Sequence, residues 1–221
     1  MADGIDTVIF DMDGVIFDSE TLVLSSWKEV ARRYGIKDVE KVCRECLGTN
    51  SVVSKQIFLE HYGQNFPYDE YKAEMSEVFF SHASDGKLAK KQGVEELLKY
   101  LKDKGFKVGI ASSTREKIVR RQIWEGGLLE YFDQIVGGDM VKHSKPEPDI
   151  FLEACGRLES KPENCYVIED SYNGIRAAHA AGMHPIMVPD LMEPTEEMKS
   201  LAEQILGSLC AVQEFLQESV R

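Results

Sequence analysis

Residues 8–14 read Val8-Ile9-Phe10-Asp11-Met12-Asp13-Gly14. Three consecutive apolar residues without polar alternation describe a strand buried on both faces, as in a parallel sheet. A pair of carboxylates follows it at once. Four more short runs share this character: Val108-Gly109-Ile110-Ala111, Gln134-Ile135-Val136, Tyr166-Val167-Ile168 and Pro185-Ile186-Met187-Val188. Helical patterns at about 115–124, 149–158 and 172–181 separate these four. Strand–helix–strand alternation predicts an α/β fold with a doubly wound parallel sheet, whose functional groups cluster at the carboxyl ends of the strands.

The first strand breaks the rhythm, because Phe10 and Val108 stand 98 positions apart (108 − 10) and most of the interval reads as helix. Val23, Trp27, Val30 and Tyr34 recur at helical spacing, with Ser19 as the expected N-cap and Gly35 as the C′ residue. Further helical patterns cover about 38–46, 52–62 and 69–82. Ser84-Asp85-Gly86-Lys87 reads as a return linker, and Val94, Leu97, Leu98 and Leu101 mark a helix leading back to the sheet. The chain thus divides into a core of residues 1–18 and 88–221 and an inserted all-helical subdomain of residues 19–87. Beyond Pro194, a terminal helical stretch including Met198, Leu201, Ile205 and Leu206 is expected to pack on the sheet.

Composition excludes several classes. The 221 residues include 26 Lys or Arg and 38 Asp or Glu, a formal net charge of −12. Nucleic acids and anionic membranes bind clustered cations, so neither is an expected partner. No apolar run approaches the roughly 18 residues needed to span a bilayer. Met1 to Asp6 carries two acids and no basic region, unlike a signal peptide. The five cysteines form no disulfide framework, and Cys43 and Cys46 lack the second ligand pair of a zinc site. With Val39 and Val42 they fit the apolar face of a helix. These features predict a reduced, cytoplasmic protein, a monomer or weak homodimer.

Four polar clusters lie at or just beyond strand ends. Asp11 and Asp13, at i and i+2, can face the same side, where their repulsion is costly unless a cation or a shared proton relieves it. Ser112-Ser113-Thr114 opens a helix, offering either a plain N-cap or hydroxyl and backbone N–H groups suited to phosphate. Lys145 sits in a loop stiffened by Pro146 and Pro148, where its charge can balance carboxylates and an incoming phosphate. Lys142, by contrast, reads as solvated surface. Glu169 and Asp170 end a buried strand and suggest a hard cation bound by oxygen, although Asp170 also suits a helix cap.

The four clusters, in this order, resemble the motifs of the haloacid dehalogenase-like (HAD) superfamily, in the branch with a helical cap inserted after the first motif. The matching stretches are Asp11 to Ser19, Ile110-Ala111-Ser112, Ser144 to Asp149, and Val167 to Gly174, extended by Ala180 to Met183. Trp27 also matches a common position in the first cap helix. The resemblance spans essentially the whole chain and implies a Rossmann-like core. It implies Asp11 as a nucleophile that forms an aspartyl-phosphate, and Asp13 as general acid and base. It further implies Mg²⁺ held by Asp11, the Asp13 main-chain carbonyl and Asp170, with Glu169 either a ligand or an outer acceptor. Ser112, the following N–H groups, including that of Ser113, and Lys145 would hold the phosphoryl oxygens.

Within that superfamily, dehalogenases lack the second aspartate, so Asp13 favours phosphoryl transfer. Phosphonatases need a Schiff-base lysine in the cap, where the first helix offers only Lys28, read as surface. β-Phosphoglucomutases resemble the chain throughout. They usually carry a His where this sequence has Val23, and an Arg shortly after the cap-loop glycine. Here Gly48 is followed by Thr49, Asn50 and Ser51, without a cation until Lys55. The expected function is therefore a phosphatase of a small phosphorylated metabolite. The Leu47–Ser51 loop, Asn50 included, suits a hydroxyl-rich sugar or polyol monophosphate, or else merely starts the next helix. A mutase is the alternative, and a non-enzymatic phospho-aspartate signalling module a further one. A dinucleotide-binding module is opposed by the absence of a GxGxxG stretch. Met12, Phe17 and the Phe79-Phe80 pair read as packing, and the five histidines show no metal-ligand spacing.

Overall fold

In the computed structural model, residues 4–47, 49 and 51–219 are described. Six strands form one parallel sheet: β1 (Thr7–Phe10), β2 (Lys107–Ser112), β3 (Gln134–Gly137), β4 (Cys165–Glu169), β5 (His184–Met187) and β6 (Gln204–Ile205). Their order is β3-β2-β1-β4-β5-β6. Ten α-helices are described: α1 (Ser19–Tyr34), α2 (Val39–Glu45), α3 (Ser51–Tyr62), α4 (Tyr68–Ala83), α5 (Val94–Asp103), α6 (Glu116–Glu125), α7 (Asp149–Arg157), α8 (Tyr172–Ala180), α9 (Glu196–Leu201) and α10 (Leu209–Ser219).

The unbroken apolar character of the strands has a direct cause. Val8 and Phe10 point into a cluster with Leu97, Leu98 and Leu101 of α5 and Val212 and Leu216 of α10. Ile9 points the other way, onto Phe151 and Ala154 of α7 and Ala177 and Ala178 of α8. Both faces of β1 are covered, so neither alternate set is polar. Successive connections fill the sheet on one side of β1 up to β3 and then on the other side from β4. The order reverses between β1 and β4, and a crevice opens outside their carboxyl ends at such a reversal.

Helices α1–α4 bury an apolar cluster of their own. Trp27 and Val30 of α1 meet Phe58 of α3 and Tyr68, Met75 and Val78 of α4, with the Trp27 and Phe58 ring centroids 4.6 Å apart. Cys43 joins this cluster and Cys46 packs at its edge, both as free thiols, in keeping with the core reading of that pair. Gly35 ends α1 at φ 66°, the left-handed conformation that a C′ glycine supplies. Lys28 lies on the helix surface, paired with Glu40 at 2.5 Å.

Two local expectations are corrected. Ser19 is the first residue of α1 rather than its N-cap; Asp18 holds that position and makes no side-chain cap bond. The Ser19 hydroxyl is drawn to Asp13 instead. Beyond Pro194 the helical pattern stops at Leu201. Ile205 belongs to β6, where Glu203 N donates to Pro185 O at 2.8 Å and Leu206 N to Met187 O at 2.9 Å. The open edge of β5 captures this segment, because its unpaired backbone groups offer a ladder that a helix would forgo. Among the described residues no helix is long and apolar enough to cross a membrane.

Candidate active site

The crevice between β1 and β4 is a cavity of about 410 Å³, walled by Asp11, Asp13, Ser113, Thr114, Lys145 and Asp170 among others. Register explains why the acids meet: Phe10 pairs with Ile168, and Asp11 N donates to Ile168 O at 2.9 Å. The residues just past the two strands are therefore neighbours. After Asp11 the chain folds back tightly, with Ile16 N donating to Met12 O and Gly14 N to Phe17 O, each at 2.9 Å. Met12 and Phe17 are fully buried beneath this turn, as packing residues.

Lys145 is the electrostatic centre. Its ammonium donates to Asp11 Oδ1 at 2.5 Å, Glu169 Oε1 at 2.7 Å and Ala111 O at 3.0 Å. Burial works against that charge, but the carboxylates of Asp11 and Glu169 outweigh it and raise the lysine above its ordinary value. One ammonium cannot compensate the whole group of acids. Burial accordingly pushes Asp11 up to about 8 against the pull of Lys145, with Glu169 and Asp13 adding to the rise. Burial, reinforced by Glu169 and Glu20, lifts Asp170 well above the usual carboxylate range.

Asp13 is held differently. Ser19 Oγ donates to its Oδ1 at 2.7 Å and Thr114 Oγ1 to its Oδ2 at 3.0 Å. Two hydroxyls, one from the start of α1 and one from the segment after β2, thus fix a carboxylate two residues from Asp11. Glu169 is saturated by donors: Oε1 accepts from Lys145, and Oε2 from Ser171 N at 2.8 Å and Ser171 Oγ at 3.0 Å. Ser171, not Asp170, caps α8, accepting from Gly174 N at 3.0 Å. Asp170 is left facing the cavity. Two glycines are needed for this approach. A Cβ on Gly14, whose φ is +76°, would stand 2.3 Å from Asp170 Oδ2, and one on Gly174 would stand 1.7 Å from Glu169 Oε1.

Most of the anticipated residues converge here. Asp11, Asp13, Ser113, Lys145, Glu169 and Asp170 all line the cavity. Ser112 is fully buried and its hydroxyl accepts from Thr114 N at 3.1 Å, so Ser113 and Thr114 present the accessible groups. Plain N-capping by this cluster does not occur: Arg115 is the N-cap of α6, and Asp139 Oδ1 accepts from Glu116 N at 2.8 Å. Asn50 lies outside the described residues, while its neighbours Thr49 and Ser51 reach the same cavity. Lys142 is exposed, and His143 pairs with Asp149 at 2.8 Å.

Sequence reasoning missed Glu20 and Asp190. With Asp170 they offer three oxygens within 4.8 Å of one another. Glu20 Oε2 and Asp190 Oδ2 are buried without a hydrogen-bond partner, and burial, aided by Asp190 and Asp13, pushes Glu20 up to about 7. Lys91 reaches Asp190 Oδ1 at 2.6 Å and balances only one of these charges. Surplus carboxylate oxygens, unpaired and facing one space, are the donor set of a hard divalent cation such as Mg²⁺. Glu20 follows the predicted cap serine and Asp190 a strand end, positions where an acid ordinarily signals only solvation.

Comparison with known proteins agrees with this architecture. The haloacid dehalogenase-like hydrolase family model matches residues 8–188. The chain is 34% identical over 184 residues to the phosphorylated carbohydrates phosphatase of Thermotoga maritima, covering 82% of this chain and 83% of that protein. It is 33% identical over 191 residues to the β-phosphoglucomutase of Bacillus subtilis, covering 82% of each. The crystal structure of CbbY from Rhodobacter sphaeroides in complex with phosphate superposes with a TM-score of 0.77 at 29% identity, over 94% of this chain and 96% of that one.

Proposed function

The chain belongs to the haloacid dehalogenase-like hydrolase family, and we propose that it is a Mg²⁺-dependent phosphatase of a sugar or polyol monophosphate, acting through an aspartyl-phosphate on Asp11. The observation that carries this reading is the division of labour between two carboxylates. Asp11 is pressed against Lys145, whereas Asp13 is clasped by two hydroxyls on the wall of the same cavity. The similarity to a phosphatase of phosphorylated carbohydrates supports the substrate class. We take residues 19–87 as the cap, set between core segments 1–18 and 88–221.

Asp11 attacks phosphorus, and the bond to the leaving alcohol oxygen breaks as Asp13 gives that oxygen a proton. Asp13 then takes a proton from water. The water oxygen bonds to phosphorus, the acyl phosphate bond breaks, and inorganic phosphate leaves with Asp11 restored. Lys145 and the groups of Ser113 and Thr114 hold the non-bridging oxygens throughout. Glu169, saturated by Lys145 and Ser171, orients that lysine rather than binding metal. Asp11, Asp170 and the Asp13 carbonyl would hold Mg²⁺, with Glu20 and Asp190 around it. Bound there, the ion offsets carboxylate repulsion and lets an anionic nucleophile approach an anionic phosphoryl group.

A panel of phosphorylated metabolites, with and without Mg²⁺, tests the proposal on the wild type and Asp11→Asn. Mg²⁺-dependent phosphate release that Asp11→Asn abolishes is the expected result. Its absence for every compound, an aryl phosphate included, would sink the reading. Conversion of glucose 1-phosphate to glucose 6-phosphate without free phosphate would establish the mutase instead.

A further inference from the structure

Cys155 on α7 and Cys165, the first residue of β4, take no part in the proposed reaction. Both are buried, at 3% and 0% exposure, and their sulfurs stand 3.6 Å apart. A disulfide bond is about 2.05 Å long, so a small turn about the Cα–Cβ bonds, bringing the sulfurs closer by about 1.5 Å, would close one. The pair belongs to the apolar cluster of Ile9, Phe151, Ala154 and Val167, where a neutral disulfide suits the surroundings as well as two neutral thiols do. The remaining thiols are placed differently. Cys46 turns toward Ser54 O, at 3.8 Å, rather than toward Cys43, and Cys210 is exposed.

The two sulfurs are not equivalent. Cys165 directs its S–H toward Cys155, with Lys161 O at 3.2 Å and Ser160 Oγ at 3.6 Å as its other neighbours. Burial raises both thiols, Cys165 up to about 12, but the hydrogen bond from Cys165 favours the charged form of Cys155. Cys155 is therefore the first to act as a thiolate. The turn between α7 and β4 closes over the pair, with Ser160 N donating to Cys155 O at 3.1 Å. Glu159 in this turn holds φ 50°, a left-handed conformation costly for a residue with a side chain, and Glu159 and Lys161 are exposed. Local opening of this turn admits an oxidant of about the size of water.

We propose that Cys155 and Cys165 form an oxidation site that a hydroperoxide closes to a disulfide and a dithiol reopens, clamping the end of α7 to the start of β4. The Cys155 thiolate attacks one peroxide oxygen, the O–O bond breaks, and the other oxygen leaves as water with the proton that Cys155 gave up. Cys165 sulfur then attacks the sulfenic acid at Cys155. The S–O bond breaks, and the hydroxyl leaves as a second water with the Cys165 proton. Two electrons pass from the sulfurs to the peroxide. The clamp lies at the opposite end of β4 from Glu169, so it acts on stability and leaves the cavity residues in place.

The reduced full-length chain, treated with hydrogen peroxide and then unfolded in an alkylating agent, tests this by intact mass and peptide mapping. Two of the five thiols should escape alkylation, and a cross-link should join the peptides that carry Cys155 and Cys165. Dithiothreitol should reverse it. The closed form should melt higher by about 5 °C, as expected for a short cross-linked loop. Cys165→Ala should halt the reaction on Cys155, with a gain of about 16 Da for each oxygen added, whereas Cys155→Ala should leave Cys165 reduced. The wild-type map stands even if a variant fails to fold. A cross-link that joins a different pair, Cys155 and Cys165 both still open to alkylation, or a closed form that melts no higher than the reduced one would overturn the proposal.

Discussion

Ser19, the first residue of α1, donates its hydroxyl to Asp13 Oδ1 at 2.7 Å, which ties the start of the inserted helices to the carboxylate proposed as acid and base. The bond is shielded on one side, since Ser19 is only 2% exposed while Asp13 faces the cavity. Removing it frees one oxygen of Asp13 to turn toward other donors. Ser19→Ala should therefore lower kcat by about tenfold, the lower end of a single hydrogen bond to a charged group, with a much smaller change in KM. Ser19→Thr, which keeps the hydroxyl, should recover most of it. Thr114→Val removes the second bond to Asp13, and the double variant should lose more than the product of the single losses, because either hydroxyl alone still limits the carboxylate. Steady-state kinetics on one phosphate ester decides this, and a kcat unchanged in Ser19→Ala ends the argument.

Lys145 is the sole cation in hydrogen-bond contact with both Asp11 and Glu169 among the described residues. Lys145→Met leaves the two carboxylates buried without compensation. The expected loss is about 3–5 kcal/mol of unfolding free energy above about pH 8, where Asp11 carries its charge, the usual consequence of breaking a buried pair from one side. At lower pH the loss should shrink, because the acids take up protons and no longer need the ammonium. Urea unfolding at two pH values measures both quantities, and a loss below about 1 kcal/mol at the higher pH would contradict this account of Lys145.

The strand ends were legible because the signals there are local. Val8-Ile9-Phe10 before Asp11, and Tyr166-Val167-Ile168 before Glu169, combine a buried run with an abrupt change to acid. What decides Ser19, Ile205 and Asp190 is not local. A serine ahead of an amphipathic run reads as an N-cap, and only the folded turn at Gly14 brings Asp13 within its reach. Met198, Leu201 and Ile205 keep helical spacing, yet the open edge of β5 stands above them and takes the last as a strand. Asp190 and Glu20 gain meaning only from each other and Asp170, from three separate parts of the chain. Lys72 looks like any helix lysine until it is seen to line a cavity together with Trp27 of α1 and Phe58 of α3.

Asp11 and Asp170 hold protons more tightly in the folded protein than in the unfolded chain, because burial disfavours their charged forms. Their contribution to stability is complete below the ordinary value of 3.8 and is lost as pH rises toward the folded value, about 8 for Asp11. Metal-free protein should thus lose Tm across that window through these groups. A cation needs their charged forms, so Mg²⁺ binding releases protons and grows stronger as pH rises. The Tm increment from a fixed Mg²⁺ concentration should be larger at about pH 8 than at about pH 5.5. An equal or smaller increment at the higher pH would separate these carboxylates from the metal.

Gly14 and Gly174 test whether close approach, rather than side-chain identity alone, builds the site. Gly14→Ala forces a methyl to within 2.3 Å of Asp170 Oδ2 at a φ of +76°, so Asp170 must move and the backbone is strained as well. The Mg²⁺ concentration for half-maximal activity should rise by at least tenfold, the result of about 1.4 kcal/mol of lost affinity. Gly174→Ala acts on a different partner: its methyl would overlap the Glu169 carboxylate at 1.7 Å, and Glu169 positions Lys145. Its main effect should fall on kcat, through the displaced ammonium, with a smaller effect on the Mg²⁺ requirement. Activity measured across a Mg²⁺ titration for both variants separates the two. If both variants shift the Mg²⁺ requirement alike, Glu169 belongs with the metal ligands, and its saturation by Lys145 and Ser171 describes only the metal-free site.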